Sequence, residues 1–168
     1  MRLKLALAVC ITVACALCGR SIAGAAFRRC RLLQALIEAL RMLKVQSVSM
    51  LEPLEVALRR TEQPLFVQTA QRLPSEASAG AAWRAVRDSE TARGKSADCL
   101  LEQDLAPLDR LFEHLGECSR VEQEEAIRTC IGRMESALSE ARERSVQISR
   151  LYTSVGLLTG LAIAVIMI

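Results

Sequence analysis

The sequence is poor in aromatic residues: its 168 residues include only three Phe, one Trp and one Tyr. A hydrophobic core must therefore be built mainly from Leu, Ala, Val and Ile side chains. Glycine and proline are also few, at eight and four residues, which argues against a β-fold that depends on many tight turns. Ala, Leu, Arg, Glu and Gln dominate the middle of the chain, and these residues favour helices. The composition predicts an all-α protein.

Groups suited to catalysis are equally scarce, since the chain has one histidine and no Gly-rich phosphate-binding loop. That histidine, His114, lies just before Gly116, and its simplest role is to place a cation on the last turn of a helix. His114 and the three cysteines in the middle of the chain do not have the spacing of zinc ligands. These cysteines are Cys99, Cys118 and Cys130. We therefore expect no enzyme activity, no metal and no cofactor.

Charge and hydropathy are distributed unevenly along the chain. All 19 acidic residues lie between Glu38 and Glu143, and only three of the 22 basic residues precede Phe27. The middle is therefore nearly neutral, and the positive mean hydropathy of +0.23 arises from two apolar ends. No basic stripe with interleaved aromatic residues accompanies the net charge of +3, so nucleic acid is not an expected partner.

The first apolar stretch runs from Leu5 to Phe27 and is long enough to span a bilayer. Its one charged residue, Arg20, lies near the end, from which an arginine side chain can reach the headgroups. The same stretch is compatible with a secretory signal peptide, because Arg2 and Lys4 precede it and Ala14-Cys15-Ala16 resembles a cleavage site. From this end alone, both interpretations remain open.

The last apolar stretch, Leu151 to Ile168, carries no charge. As a helix it would be roughly 27 Å long, close to the roughly 30 Å hydrocarbon core of a bilayer. We therefore predict two membrane helices, residues 1–27 and 151–168, on either side of a helical domain of residues 28–150. Gly156 and Gly160 form a Gly-x-x-x-Gly pattern that permits close helix packing, although glycine is common in membrane helices in any case.

Positive charges flank both predicted spans on the side of the middle domain. Arg28, Arg29 and Arg31 follow the first span, and three further arginines precede the second within residues 142–150. The positive-inside rule then places the middle domain in the cytoplasm. The odd number of cysteines also favours reduced thiols in that compartment. The first three arginines are thus predicted to be membrane-proximal, as a solvated topology signal or as a contact for anionic lipid.

The middle domain opens with an amphipathic helix and continues with short ones. Leucines at positions 33, 36, 40 and 43 recur at steps of three and four residues and predict one apolar stripe. Pro53 ends or restarts this helix, and Pro64 and Pro74 bracket another short one. Ser78 to Arg87 predicts a further helix, in which Trp83 is expected to be a core residue.

The second half of the middle domain is predicted to contain a loop and two helices. Residues 89–96 show no periodicity and predict the loop. Cys99 to Leu115 has a helical pattern in which Pro107 must start or kink the main part, and Gly116 stands where a helix often ends.

A long final helix is predicted to begin after Ser119, because Ser119 and Glu122 have the spacing of a capping box. Its apolar stripe is interpreted as core rather than as the seam of a homo-oligomer. No proline or capping glycine interrupts the helix before Gly156, so it is predicted to continue into the second span. The middle domain is therefore an antiparallel bundle of about five or six helices. The stripe consists of Ile127, Ile131, Met134, Leu138, Ala141, Ser145, Ile148, Tyr152 and Val155.

The order of these elements resembles the stage III sporulation protein AB family over nearly the full chain. The motifs that carry the resemblance are Pro53-Leu54 in a Pro-Leu-x-x-Ala-Leu element, Trp83 after an Ala-rich segment, and Leu115-Gly116 followed by Gln123. The closing apolar segment with Gly156 and Gly160 is also similar. These residues are the candidate structural or interaction motifs of the chain.

The chain departs from the family pattern at three positions. Lys44 and Gln46 stand where the family usually has glutamates, so a partner contact made by those glutamates is not carried over. Ser119 replaces an aspartate, and both residues can accept a hydrogen bond at the start of a helix.

The resemblance implies a non-enzymatic scaffold or adaptor of a secretion-like channel complex between mother cell and forespore, required for endospore formation. The bundle would be similar to the cytoplasmic domain of the type II secretion platform protein. It would sit at the mother-cell membrane around the forespore and link a secretion-type ATPase to other sporulation channel proteins. The alternative is a membrane-anchored coiled-coil or helical interaction protein unrelated to export, which could form a homo-oligomer.

Overall fold

The computed structural model describes residues 24, 26–50, 52–92, 94–115 and 119–167, with the exception of the side chains of 48, 49 and 148–167. These residues form six α-helices and contain no strand, which confirms the all-α fold. Arg29–Ser139 form one compact unit, and the flanking parts, Met1–Arg28 and Glu140–Ile168, form another. The domain boundaries proposed from the sequence stay a prediction.

The first helix, α1, covers residues 26–44 and continues as a π-helical turn, Val45–Ser49. Its apolar stripe is confirmed, because the leucines at 33, 36, 40 and 43 are all fully buried. Two ion pairs show the direction of α1 relative to the last helix: Arg41 binds Glu135 at 2.6 Å, and Lys44 binds Glu124 at 2.9 Å. Because the residue numbers of the paired side chains rise in the first helix and fall in the last, the two helices run antiparallel.

Proline positions define the next two helices as predicted. Pro53 is the N-terminal cap of α2, Leu54–Arg60, and Pro64 is the first residue of α3, Pro64–Arg72. Proline fits the first turn because the N–H that it lacks would have no helical partner there. The side-chain oxygen of Gln63 accepts hydrogen bonds from the next free N–H groups, those of Leu65 and Phe66. Pro74 then falls in a short 3₁₀ turn, Leu73–Ser75, which ends α3.

The fourth helix, α4, spans Ala79–Glu90 and is capped by Ser78, whose Oγ accepts from the Ala81 N–H. Its end was predicted too early, since Ser89 and Glu90 belong to the helix and not to the loop. The Ser89 hydroxyl donates to the Val86 carbonyl within this last turn. Both residues lie outside the apolar stripe, so periodicity could not assign them.

The fifth helix, α5, covers Glu102–His114 and begins three residues later than predicted. Residues 96–99 form turns instead. Pro107 does not start the helix: it lies inside it, where its ring removes the hydrogen bond to the Gln103 carbonyl. The predicted cap, Gly116, lies outside the described residues.

The sixth helix, α6, runs from Arg120 to Met167 without a break, which confirms the predicted continuous helix. The predicted capping box is also present: the Ser119 N–H donates to Glu122 Oε2 at 2.9 Å, and the Glu122 N–H donates to Ser119 Oγ at 3.5 Å. Most of the described stripe is buried, and Ile131 is half-buried at its margin. The buried members are Ile127, Met134, Leu138, Ala141 and Ser145.

The hydrogen bonds from Ser119 lower the pKa of the Glu122 carboxyl below its ordinary value. A group whose pKa is lowered by folding stabilises the fold above its unfolded pKa and loses that contribution as the pH falls through the lowered pKa. The capping box is therefore intact at neutral pH.

Among the described residues, no helix is both long and apolar enough to cross a bilayer. Most of the predicted first span, residues 1–27, lies outside the description. The backbone of the predicted second span, 151–168, is helical through Met167, and its side chains lie outside the description. The two flanking membrane helices stay a prediction.

Glu62, between α2 and α3, has a left-handed backbone with φ of 56°. This conformation costs a residue with a Cβ about 1–2 kcal/mol, and glycine avoids the cost. We predict that Glu62→Gly raises the free energy of unfolding by about 1 kcal/mol, measured by thermal unfolding through Trp83 fluorescence. Glu62→Ala is the matched control, because it removes the charge and keeps the Cβ. An equal gain from Glu62→Ala would show that charge, not backbone strain, is responsible.

Candidate functional site

The three arginines predicted to form one membrane-proximal cluster have different environments. Arg28 and Arg31 are exposed, as a lipid contact or a solvated signal requires. Arg29 is buried, with 8% of its surface exposed, and differs in this from the other two, while the membrane-proximal position of all three stays a prediction. Its Nε and Nη2 atoms each donate to a carboxylate oxygen of Asp104 at 2.7 Å.

Asp104 joins two elements of the bundle. It is 1% exposed, and besides the bidentate bond to Arg29 in α1 its Oδ2 accepts from the Leu101 N–H at 3.0 Å. This second bond caps the start of α5, because Asp104 is the third residue of that helix. Sequence reasoning missed Asp104. The available signal was an aspartate in the first turn of a helix, but nothing in the sequence pointed to Arg29, 75 residues away.

The predicted core residue Trp83 is fully buried and belongs to an aromatic cluster. Its ring stacks on Phe112 at a centroid distance of 4.7 Å, and Phe66 meets both rings edge-on. Its Nε1 donates to Asp109 Oδ1 at 2.6 Å, while Arg87 binds Asp109 Oδ2 at 2.6 Å. Trp83 therefore acts in packing between α3, α4 and α5.

Small residues before Trp83 permit this packing. A Cβ at Gly80 would lie 3.2 Å from the Cα of Glu113, so α4 and α5 approach closely at this point. The Ala-rich segment that ends in Trp83 is thus explained by helix contact.

The remaining motif residues differ in burial where the structure describes them. Leu115 is buried at the end of α5, Leu54 and Gln123 are half-buried, and Pro53 is exposed at its cap position. Their predicted roles in interaction are not tested by these positions. The predicted packing sites at Gly156 and Gly160 lie in helical backbone whose surroundings are not described.

The structure places the three departures from the family pattern in different environments. Lys44 makes its ion pair with Glu124 of the same chain. Gln46 lies in the π-helical turn, and its Oε1 is buried without a hydrogen-bond partner among the described residues. Ser119 keeps the capping function expected of it.

No group of three or more His, Cys, Asp or Glu residues is arranged to hold a metal ion in the part of the chain that the structure describes. His114 is exposed on the last turn of α5. Cys99 is half-buried, and Cys118 lies outside the described residues.

An open groove of about 280 Å³ lies between α5 and α6. Pro107 and Leu111 of α5 and Ala126 and Cys130 of α6 provide its apolar lining. Cys130 is 3% exposed, and burial raises the pKa of its thiol to about 12, against the opposing effect of the Arg133 charge.

We predict that iodoacetamide leaves Cys130 unmodified in the folded chain at pH 8, because the thiolate is the reactive form. Unfolding should restore its reactivity, as followed by peptide mass mapping. The half-buried Cys30 serves as the internal comparison. Modification of Cys130 at the rate of Cys30 in the folded chain would contradict the buried position.

We further predict that Asp104→Ala lowers the free energy of unfolding by about 3–5 kcal/mol, because it leaves Arg29 buried without its carboxylate. The double variant Arg29→Met, Asp104→Leu removes both charges and should recover most of this loss, except about 1 kcal/mol for the missing cap. Thermal unfolding followed by Trp83 fluorescence measures both. Additive losses in the double variant would contradict a coupled pair.

The fold and the contacts define a class: an all-helical bundle in which a buried ion pair joins α1 to α5 and polar side chains cap several helices. The chain belongs to the stage III sporulation protein AB family, whose model matches residues 4–168. A solved structure of stage III sporulation protein AB (SpoIIIAB) is similar, with a TM-score of 0.61 and 22% identity. The match covers 71% of this chain and 97% of that chain, and at this identity it supports the fold alone. No curated protein matches the chain.

Family membership confirms the resemblance noted in the sequence, and it gives the chain a role in sporulation.

Proposed function

We propose that the chain is a non-enzymatic membrane scaffold of a secretion-like channel complex between mother cell and forespore. In this role it links a cytoplasmic secretion-type ATPase to other channel proteins in the mother-cell membrane. The observation that carries the proposal is the family match over residues 4–168, which includes the bundle and both apolar ends.

The chemistry of the described bundle supports a scaffold. Its most buried polar groups are already engaged within the chain: Arg29 with Asp104, and Thr69 with the Leu65 carbonyl. Catalysis needs a nucleophile, acid or base supported by neighbours and open to substrate. His114 is exposed to solvent, and the Cys130 thiol in the groove beside it stays protonated at neutral pH, since burial raises its pKa to about 12.

Attachment to a membrane is the second part of the proposal. The apolar ends are uncharged over a length that suits a bilayer, apart from Arg20. The exposed Arg28 and Arg31 follow the first of them, on the side that the positive-inside rule assigns to the cytoplasm. The burial of Arg29 leaves this argument intact, because two exposed arginines remain.

The alternative, a coiled-coil dimer, has less support. Ile127 and Met134 of the α6 stripe are fully buried within a single chain. A dimer seam along this stripe would require the bundle to open, which would expose its core to water.

Two measurements test the proposal. Deletion of the gene is expected to block endospore formation, and the full-length chain in a non-ionic detergent is expected to co-purify with the secretion-type ATPase encoded beside it. Asp104→Ala is the matched variant: by weakening the bundle, it should reduce co-purification while the chain remains in the membrane fraction. Normal spores after deletion would refute the sporulation role, and absence of the ATPase from the native complex would refute the link.

A further inference from the structure

The groove between α5 and α6 carries opposite charges on its two walls at the end near the α5–α6 connection. Arg110 lies on the α5 wall, and Glu122 and Glu125 lie on the α6 wall. Arg133 lines the same α6 wall two to three turns farther along that helix. Only the connection of residues 115–119 separates the two helices, so the last turn of α5 and the first turn of α6 lie at the same end. The wall residues therefore face each other across an apolar floor.

Three of these charges have no partner within the described part of the chain. Arg110, Glu125 and Arg133 appear in no ion pair or side-chain hydrogen bond there, although nine ion pairs occupy other charged residues of the bundle. Arg133 is exposed and lines the α6 wall three residues after Cys130.

The length of the groove matches a short helical segment. On α6 the groove extends from Glu122 to Arg133, which is about 16 Å at 1.5 Å per residue, or three helical turns. The space between two packed helices is the place where the ridges of a third helix fit. Apolar residues at i, i+3 or i+4, and i+7 would meet the floor formed by Leu111, Ala126 and Cys130.

The charges on the two groove walls determine which residues should flank the apolar stripe of the bound helix. A helix in the groove meets Arg110 on one side and Glu122 and Glu125 on the other, so acidic residues suit the first flank and basic residues the second. Because reversal of the helix would exchange its flanks, the two walls also select one direction of binding.

We propose that this groove binds an amphipathic helix of a partner protein, whose apolar stripe has acidic residues on one flank and basic residues on the other. The inference rests on the proposed adaptor function, for which it identifies the docking face. A second copy of the described bundle does not supply such a helix. Its exposed large apolar residues are scattered singly or in pairs, and the α6 stripe is turned inward in the described region.

The test uses fluorescent helical peptides of about 21 residues, three heptads with the same Leu stripe. One has Glu on one flank and Lys on the other, one has Glu on both flanks, and one has Lys on both. The full-length chain in non-ionic detergent should bind the mixed peptide roughly tenfold more tightly than either of the others, as measured by fluorescence anisotropy. Equal binding of all three would overturn the proposal.

Wall variants should change the preference in opposite directions. Glu125→Lys leaves Glu122 as the one acidic residue lining the α6 wall and should favour the peptide with Glu on both flanks, while Arg110→Glu should favour the peptide with Lys on both flanks. Arg128→Glu is the matched control, because Arg128 is exposed on the same helix and does not line the groove. An equal effect of Arg128→Glu would show non-specific attraction. A dimer of the full chain that dissociates on Glu125→Lys would assign the groove to a second copy and overturn the proposal.

The same variants separate this inference from the proposed function. ATPase co-purification with no discrimination among the peptides would refute the groove and leave the adaptor role. Discrimination among the peptides without ATPase co-purification would refute the ATPase link and leave the groove as a helix-binding site.

Discussion

The buried pair of Arg29 and Asp104 is the constraint on which the described bundle depends. Removing two charges from water is costly, and the cost is offset only when both groups keep good hydrogen-bond geometry. The pair meets this condition with two bonds of 2.7 Å, and Asp104 additionally caps α5. Since any shift of α1 along α5 would break this geometry, the pair determines the register of two helices that are far apart in sequence. The leucine stripe that follows Arg29 can then face only one side.

The scarcity of aromatic residues gives the second constraint. Three of the five aromatic side chains of the chain, Phe66, Trp83 and Phe112, meet in one cluster contributed by three helices. A cluster of this kind adds about 0.5–1.5 kcal/mol per ring pair beyond the area that it buries. The short helices α3 and α4, which have few other large side chains, depend on it. The close approach at Gly80 is what allows the Trp83 and Phe112 rings to stack.

Local signals predicted most of the helices and few of their contacts. Pro53, Pro64 and the Ser119–Glu122 box act within one turn, so their effects could be inferred from spacing alone. The start of α5 was misplaced because Asp104, which caps it, was not recognised. The burial of Arg29 was not predicted for a related reason: three neighbouring arginines look alike in sequence, and only a distant carboxylate distinguishes one of them. The groove between α5 and α6 also depends on tertiary packing, since its two walls come from separate helices.

The inward direction of the α6 stripe has a consequence for how such a bundle can make contacts. With Ile127 and Met134 committed to the core, the long helix cannot offer its main apolar face to a partner without unfolding the domain. Contacts must then use what the outer surface provides, which is mostly charge. Exposed charges alone give little affinity but good selectivity and orientation. The α5–α6 groove is the described surface where unpaired charges border an apolar floor, so affinity and orientation can arise at one place. A scaffold that holds its partner in one direction needs both.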